Sequence, residues 1–181
     1  MKVLLIPGSL REKSFNKSTA KYIKENFSDE CDFNISTLNE LPMFNEDLED
    51  HLPTKVAEVI ELIRNSDGLI FVTPEYNNTL PAPIRNLIHW LSRSYSKKYV
   101  IGKPLGIMGV SDGGFGTVRA QNELLLMATI VGFKVDAKMR LPISNALEVF
   151  DKEGNITDDK VKIKIKNFIE AYVLWLKNYN I

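Results

Sequence analysis

At 181 residues, with 44% hydrophobic and 25% charged side chains, the chain has the size and composition of one ordinary globular domain, residues 1–181, able to bury a substantial core. Its 23 Lys and Arg balance 23 Asp and Glu, so the overall charge gives no reason to expect a nucleic acid or a membrane surface as partner. One cysteine allows no internal disulfide, one Cys with two His makes a Cys/His zinc site very poor in ligands, and no apolar stretch nears the roughly 20 residues that span a bilayer.

Val3 to Ile6 is an unbroken apolar run and reads as a central strand. The N-terminus is too short for a signal-peptide core before it meets a turn, so the cytoplasm is the expected compartment. Pro7 to Ser14 is a loop, and Phe15 to Phe27 keeps helical spacing with Ser14 as its N-cap. Phe33 to Leu38 alternates as a more exposed strand. Leu41 to Pro53 is a long acidic loop, of a length often tied to function or to an interface. Thr54 to Asn65 is an amphipathic helix, and Gly68 to Thr73 a second fully apolar strand.

Pro74 to Pro83 carries three prolines and two asparagines, which force a stiff loop at that strand's end. Ile84 to Arg93 is a helix, Gly102 to Pro104 a turn, and Leu105 to Val110 a strand. Ser111 to Gly116 is glycine-rich. Thr117 to Val131 is a helix closed by Gly132, and Phe133 to Leu141 holds a weakly signalled fifth strand. Val161 to Lys166 alternates like a strand, but Val161, Ile165, Phe168, Ile169, Tyr172 and Leu176 keep helical spacing behind Thr157, Asp158 and Asp159, so the segment is read as helix.

Strands alternating with helices in this way imply a parallel sheet with right-handed crossovers and helices on both faces. In such a sheet ligands bind beyond the carboxyl ends of the strands. Three loops fall there, after Ile6, Thr73 and Val110. Gly8, Ser9, Arg11, Ser14 and Asn16 surround a helix N-terminus, which suits an anion and equally suits an ordinary capped turn. Pro74, Glu75, Tyr76 and Asn77 offer proline-held backbone groups and an aromatic ring, fit for the polar edge of a flat heteroaromatic or for a plain rigid turn. Ser111 to Gly116 permits close backbone approach, or is a flexible turn. Two nucleotide motifs fail. A P-loop from Gly8 needs glycine where Lys13 stands, and Gly-x-Gly-x-x-Gly from Gly114 meets Arg119.

Taken together, Gly8-Ser9-Leu10-Arg11 with Ser14 and Asn16, the stretch Leu41 to Glu49, Pro74-Glu75-Tyr76-Asn77 with Pro81, Asn86 and Trp90, and Gly113 to Thr117 resemble the NADPH-dependent FMN reductase family. The resemblance implies a flavodoxin-like three-layer sandwich with a five-stranded parallel sheet in the order 2-1-3-4-5. It implies FMN held at its phosphate by Ser9, Arg11, Ser14, Phe15 and Asn16, at its ring edge by Pro74, Glu75, Tyr76 and Asn77, and flanked by Ser111, Asp112, Gly113 and Gly114. It further implies a homodimer or homotetramer, with the helix Pro83 to Arg93 and the acidic loop as interface candidates. Pro7, Asn78, Ala82, Asp112 and His89 depart from the common pattern without removing a proposed contact.

The implied activity is ping-pong: hydride passes from NADPH or NADH to flavin N5, the nicotinamide leaves, and a small electron acceptor (flavin, quinone, azo compound or metal oxyanion) takes its place. No side chain is needed as catalytic acid or base, no metal is implied, and Glu75–Asn77 backbone N–H groups are expected to steady negative charge on the ring. The alternatives are a flavin-binding electron carrier and a non-catalytic binding module on the same fold.

Overall fold

Alternate side chains of an apolar strand leave the sheet on opposite faces, and here that alternation sorts the core into two halves. The computed structural model describes residues 1–179. Val3 and Leu5 of β1 (Lys2–Pro7) point to one half, with Ala20 and Ile23 of α1 (Phe15–Asn26) and Ile165, Phe168 and Ile169 of the C-terminal helix. Leu4 and Ile6 point to the other, with Val59 and Ile63 of α2 (Thr54–Arg64), Leu87 and Trp90 of α3 (Ala82–Leu91), and Leu124 and Ala128 of α5 (Val118–Val131). The result is a three-layer sandwich with helices on both faces of the sheet.

The sheet is parallel throughout, in the order β2-β1-β3-β4-β5, with β2 at Asp32–Ile35, β3 at Gly68–Val72, β4 at Pro104–Val110 and β5 at Lys134–Ile143. The parallel sheet with helices on both faces is the architecture expected from the alternation of strands and helices, and the strand order is the one the resemblance implies. Because the chain steps from β1 outward to β2 and then back across to β3, the sheet has its switch point between β1 and β3. The register sets Pro7 beside Val72 and Val72 beside Met108, so the loops after β1, β3 and β4 leave from one edge.

Boundaries differ where tertiary pairing overrides pattern. β2 stops at Ile35 rather than Leu38: Ser36 N–H donates to Leu5 O at 3.0 Å as the last rung, and Leu38 then turns into the core. β5 extends to Ile143 because β4 stays available as a partner to its own end, Val110 pairing with Ile143. A register shift between Leu105 and Ile107 breaks the alternation that would have marked it. α3 starts at Ala82, since Pro83 sits in the first turn, where its missing N–H costs nothing. The expected helix to Arg93 ends at Leu91 and is followed by the short α4 (Ser94–Lys97). The acidic loop contains a 3-10 turn at Glu46–Leu48, and α6 (Ala146–Val149) lies between β5 and the last helix.

The ambiguous C-terminal segment is helix α7 (Asp159–Tyr179). Asp158 caps it, its Oδ1 accepting from Lys160 N–H at 2.7 Å and Val161 N–H at 3.2 Å. Tyr172 is fully buried under the sheet, its hydroxyl lying 3.0 Å from Leu69 O and 3.1 Å from Pro104 O. Gly68 and Gly106 make room: a Cβ on Gly68 would stand 2.3 Å from that hydroxyl oxygen.

Candidate functional site

The three loops at the switch-point edge enclose a cavity of about 740 Å³, within the usual range for small-ligand sites. Each residue expected from the sequence to meet a ligand lines it: Ser9, Arg11, Ser14, Phe15 and Asn16; Pro74, Glu75, Tyr76 and Asn77; Ser111, Asp112, Gly113 and Gly114. Asn78, Val110, Phe115, Gly116 and Arg119 complete the wall.

The first loop is fixed at both ends. Gly8 N–H donates to Val72 O at 2.9 Å, and a Cβ there would collide with Ile84 at 2.3 Å. Ser14 caps α1, its Oγ accepting from Asn16 N–H at 3.2 Å and Lys17 N–H at 3.4 Å. Its hydroxyl proton is left to donate into the cavity, beside the positive end of the α1 dipole. The Arg11 guanidinium lies 5.3 Å from the Phe15 ring centroid and, among the described residues, forms no ion pair. Phe15 is itself propped by Phe150, centroid to centroid 4.9 Å. Asn16 is buried; its Nδ2 donates to Val110 O and its Oδ1 accepts Val110 N–H, both at 2.9 Å.

The second loop is tighter than a stiff irregular turn. Tyr76 and Thr79 bridge as a minimal hairpin, Thr79 N–H donating to Tyr76 O at 3.0 Å. The two residues between them, Asn77 and Asn78, have φ of 50° and 61°. That is the type I′ turn, and asparagine is among the few side chains that accept it. The Glu75 carboxylate is not aimed at a ligand. Its Oε2 accepts Ala120 N–H at 2.9 Å, in the first turn of α5, and its Oε1 lies 3.5 Å from Arg119 Nη1. Arg119 also donates to Asn78 Oδ1 at 3.1 Å and stacks on the exposed Phe115 ring at 4.7 Å.

In the third loop Ser111 Oγ donates to Gly116 O, and Gly116 N–H to Gly113 O at 3.0 Å. Gly116 has φ of 61° and packs against Ile143 backbone, so glycine is required there. A Cβ on Gly114 would meet nothing within 4 Å, which leaves its backbone face open to the cavity. Asp112 is turned away: its Oδ1 accepts Leu147 N–H at 3.3 Å. Both acidic side chains of the wall are thereby spent on backbone N–H groups.

Ties between loops close a triangle. Ser9 and Tyr76 share a hydrogen bond of 3.1 Å between first and second loops, Asn16 joins the first to the end of β4, and Glu75 joins the second to α5. Glu123 braces the second loop from outside: it accepts Leu80 N–H at 2.7 Å and pairs with Arg85. Sequence reasoning misses Arg119 and Glu123, because their partners lie some 40 residues away and neither sits in a motif.

Glu123 has a pH consequence. Its hydrogen bond from Leu80 and its pairing with Arg85 hold the carboxyl below the ordinary carboxylate value. The stability this provides is present above the unfolded value of about 4.3 and is lost as pH falls through the lower folded value. A Glu123→Gln variant is expected to be less stable near neutrality and to lose less of its stability on acidification. Urea midpoints at a series of pH values between about 3 and 7 check this.

Comparison with known proteins decides the lineage. The sequence profile of the family described as NADPH-dependent FMN reductase matches residues 1–148. The chain belongs to the NADPH-dependent FMN reductase family. Relatives within reach include an NAD(P)H-dependent FMN reductase of Pseudomonas aeruginosa, 34% identical over 98% of this chain and 96% of its own length. A quinone reductase of Pseudomonas putida is 31% identical, covering 97% and 94%. Among solved structures, FerB, a flavoenzyme NAD(P)H:(acceptor) oxidoreductase of Paracoccus denitrificans, superposes with a TM-score of 0.89 at 30% identity, covering 98% of both chains. The family match spans β1 to α6, so every loop of the candidate site lies inside it.

Proposed function

We propose that this chain is an FMN-dependent NAD(P)H oxidoreductase that reduces a small acceptor, with free flavins and quinones as the first classes to try. The cavity between the three loops carries the reading: one end is a helix N-terminus with a serine hydroxyl and an arginine that has no ion-pair partner among the described residues, and the other is a slot between a rigid hairpin and an open glycine backbone. Such a site fits FMN end to end. The Ser14 hydroxyl proton, the Phe15 N–H at the start of α1 and Arg11 would hold its phosphate. A flat ring meets the Pro74–Asn77 backbone on its edge and Gly113–Gly114 alongside.

FMN held there would supply the hydride chemistry between nicotinamide and acceptor. The role of this chain is to hold and orient. Tyr76, half exposed and tethered to Ser9, walls the slot from the hairpin side. Glu75 and Arg119 keep the two ring-facing loops at a fixed spacing. No side-chain acid or base is assigned. NADPH or NADH and the acceptor take turns at the same opening, beside the exposed Phe115. The unit that performs this is residues 1–181 as one domain, working as a homodimer or homotetramer in the cytoplasm. Exposed Leu126 and Ile130 on α5 and the buried free Cys31 support that setting. Among the described residues, no helix is long and apolar enough to cross a membrane.

The test is an anaerobic titration. The purified protein is mixed with FMN, freed of excess and given NADPH or NADH. Retained visible absorbance that bleaches is the expected result. Retained colour that does not bleach with either nucleotide points to an electron carrier, and no retained flavin overturns the proposal.

A further inference from the structure

We infer that Asn16 is a positioning residue that sets the width of the cofactor site, and not a ligand of the cofactor's phosphate. The inference rests on the FMN reading above and reassigns the role of a single residue within it.

The argument starts from the end of the sheet. In a parallel ladder, residues two apart on a strand face the same neighbour. Thr73 N–H on Met108 O, at 2.8 Å, is the last rung from the β3 side. The next residue, Pro74, turns the chain away. Val110 lies two residues past Met108, on the same edge of β4 and 1% exposed, so its N–H and C=O have lost their strand. A buried peptide group without a partner is strongly disfavoured.

Asn16 supplies what β3 withdraws. Its carboxamide accepts from Val110 N–H and donates to Val110 O, 2.9 Å each way, replacing with one side chain the carbonyl and the N–H that a continued β3 would have supplied from two successive positions. A planar group with a donor and an acceptor side by side is required, and a carboxamide offers it without any change of protonation. Asn16 is 3% exposed and stands in the first turn of α1. It therefore bolts the N-terminus of the phosphate-facing helix to the strand from which the glycine loop springs. This side chain sets the phosphate seat against the glycine loop, as the Ser9–Tyr76 hydrogen bond sets it against the hairpin.

A positioning role and a ligand role predict different things for a flavin that lacks the phosphate. Asn16→Ala should weaken FMN and riboflavin by the same factor, about tenfold, measured by fluorescence titration well below the melting temperature. The ratio of the two affinities stays at the wild-type value. A ratio that falls, with riboflavin unmoved, makes Asn16 a phosphate ligand and overturns the inference. Two unchanged affinities with a lowered melting temperature make it merely structural, which overturns it as well.

Amide hydrogen exchange on the unmutated protein guards against a variant that does not fold. Val110 should be protected without flavin and remain protected with FMN. Loss of that protection on adding FMN would mean that Asn16 leaves β4 for the cofactor, and would refute the assignment. The flavin-free measurement can be read even if FMN fails to bind, so the fate of the functional proposal and that of Asn16 stay separate.

Discussion

Replacing Arg11 and Ser14 together by alanine should raise the dissociation constant for FMN by roughly 100-fold and leave that for riboflavin within about threefold, two charge-assisted contacts being removed from the phosphate alone. The physical basis is how little else in the site competes for these groups. Ser14 Oγ accepts two N–H groups of α1 and keeps its own proton for a ligand. Arg11 stacks on Phe15 without an acidic partner among the described residues. Phe15 is braced by Phe150, so the guanidinium rests on a firm platform rather than swinging free. The loss should shrink as salt rises, because the contact is partly exposed and screened. Fluorescence titrations with the two flavins at two ionic strengths check it. Equal weakening of both would show that the phosphate seat lies elsewhere.

Gly109→Ala should be the most damaging single methyl in the chain. A Cβ at Gly109 would stand 2.2 Å from Thr73 O and 2.3 Å from Thr117 Oγ1. The first of these is backbone at the root of the Pro74–Asn77 loop, and the second belongs to the N-cap of α5. Neither is the free end of a flexible side chain. Overpacking of this kind costs about 3 kcal/mol, which for a chain of this size lowers the melting temperature by about 10 °C. The ring-facing loops should also be pushed apart, so residual folded protein is expected to bind both flavins weakly. Calorimetry with a flavin titration on the same sample reads both effects. A variant that melts as the wild type does would mean that β4 shifts to absorb the methyl at little expense.

The parallel α/β architecture and the positions of the three loops were legible in the sequence because both rest on local signals, whereas the strand order came only from the family resemblance. Apolar runs such as Val3–Ile6 and Gly68–Thr73, each followed by Pro, mark a central strand and its end without reference to anything distant. The site residues were legible as a set for the same reason: the loop composition says which backbone will be open. What could not be read was the use of each side chain. Glu75, Asp112 and Asn16 look like ligand-binding groups in sequence, yet each is turned to a backbone partner: Ala120, Leu147 and Val110. Those partners lie 45, 35 and 94 positions along the chain. Arg119 was invisible for the converse reason, since a lone cation in the first turn of a helix carries no local mark of the hairpin it holds. The short helices α4 and α6 escaped because four residues are too few to display a period.

Tyr172 carries a consequence for how the chain reaches this state. Its hydroxyl meets the sheet at Leu69 and Pro104, 103 and 68 positions earlier. The notches that receive it, Gly68 and Gly106, lie on the neighbouring strands β3 and β4, far before it in the chain. Until it arrives, β3 and β4 show a greasy, notched face to the surroundings, with no local segment able to cover it. Closing that face needs contacts of large sequence separation, which makes it a late event in folding. A nascent or partly assembled chain is therefore most vulnerable to sticking and to chaperone capture on the α7 side of the sheet, the side opposite α2, α3 and α5.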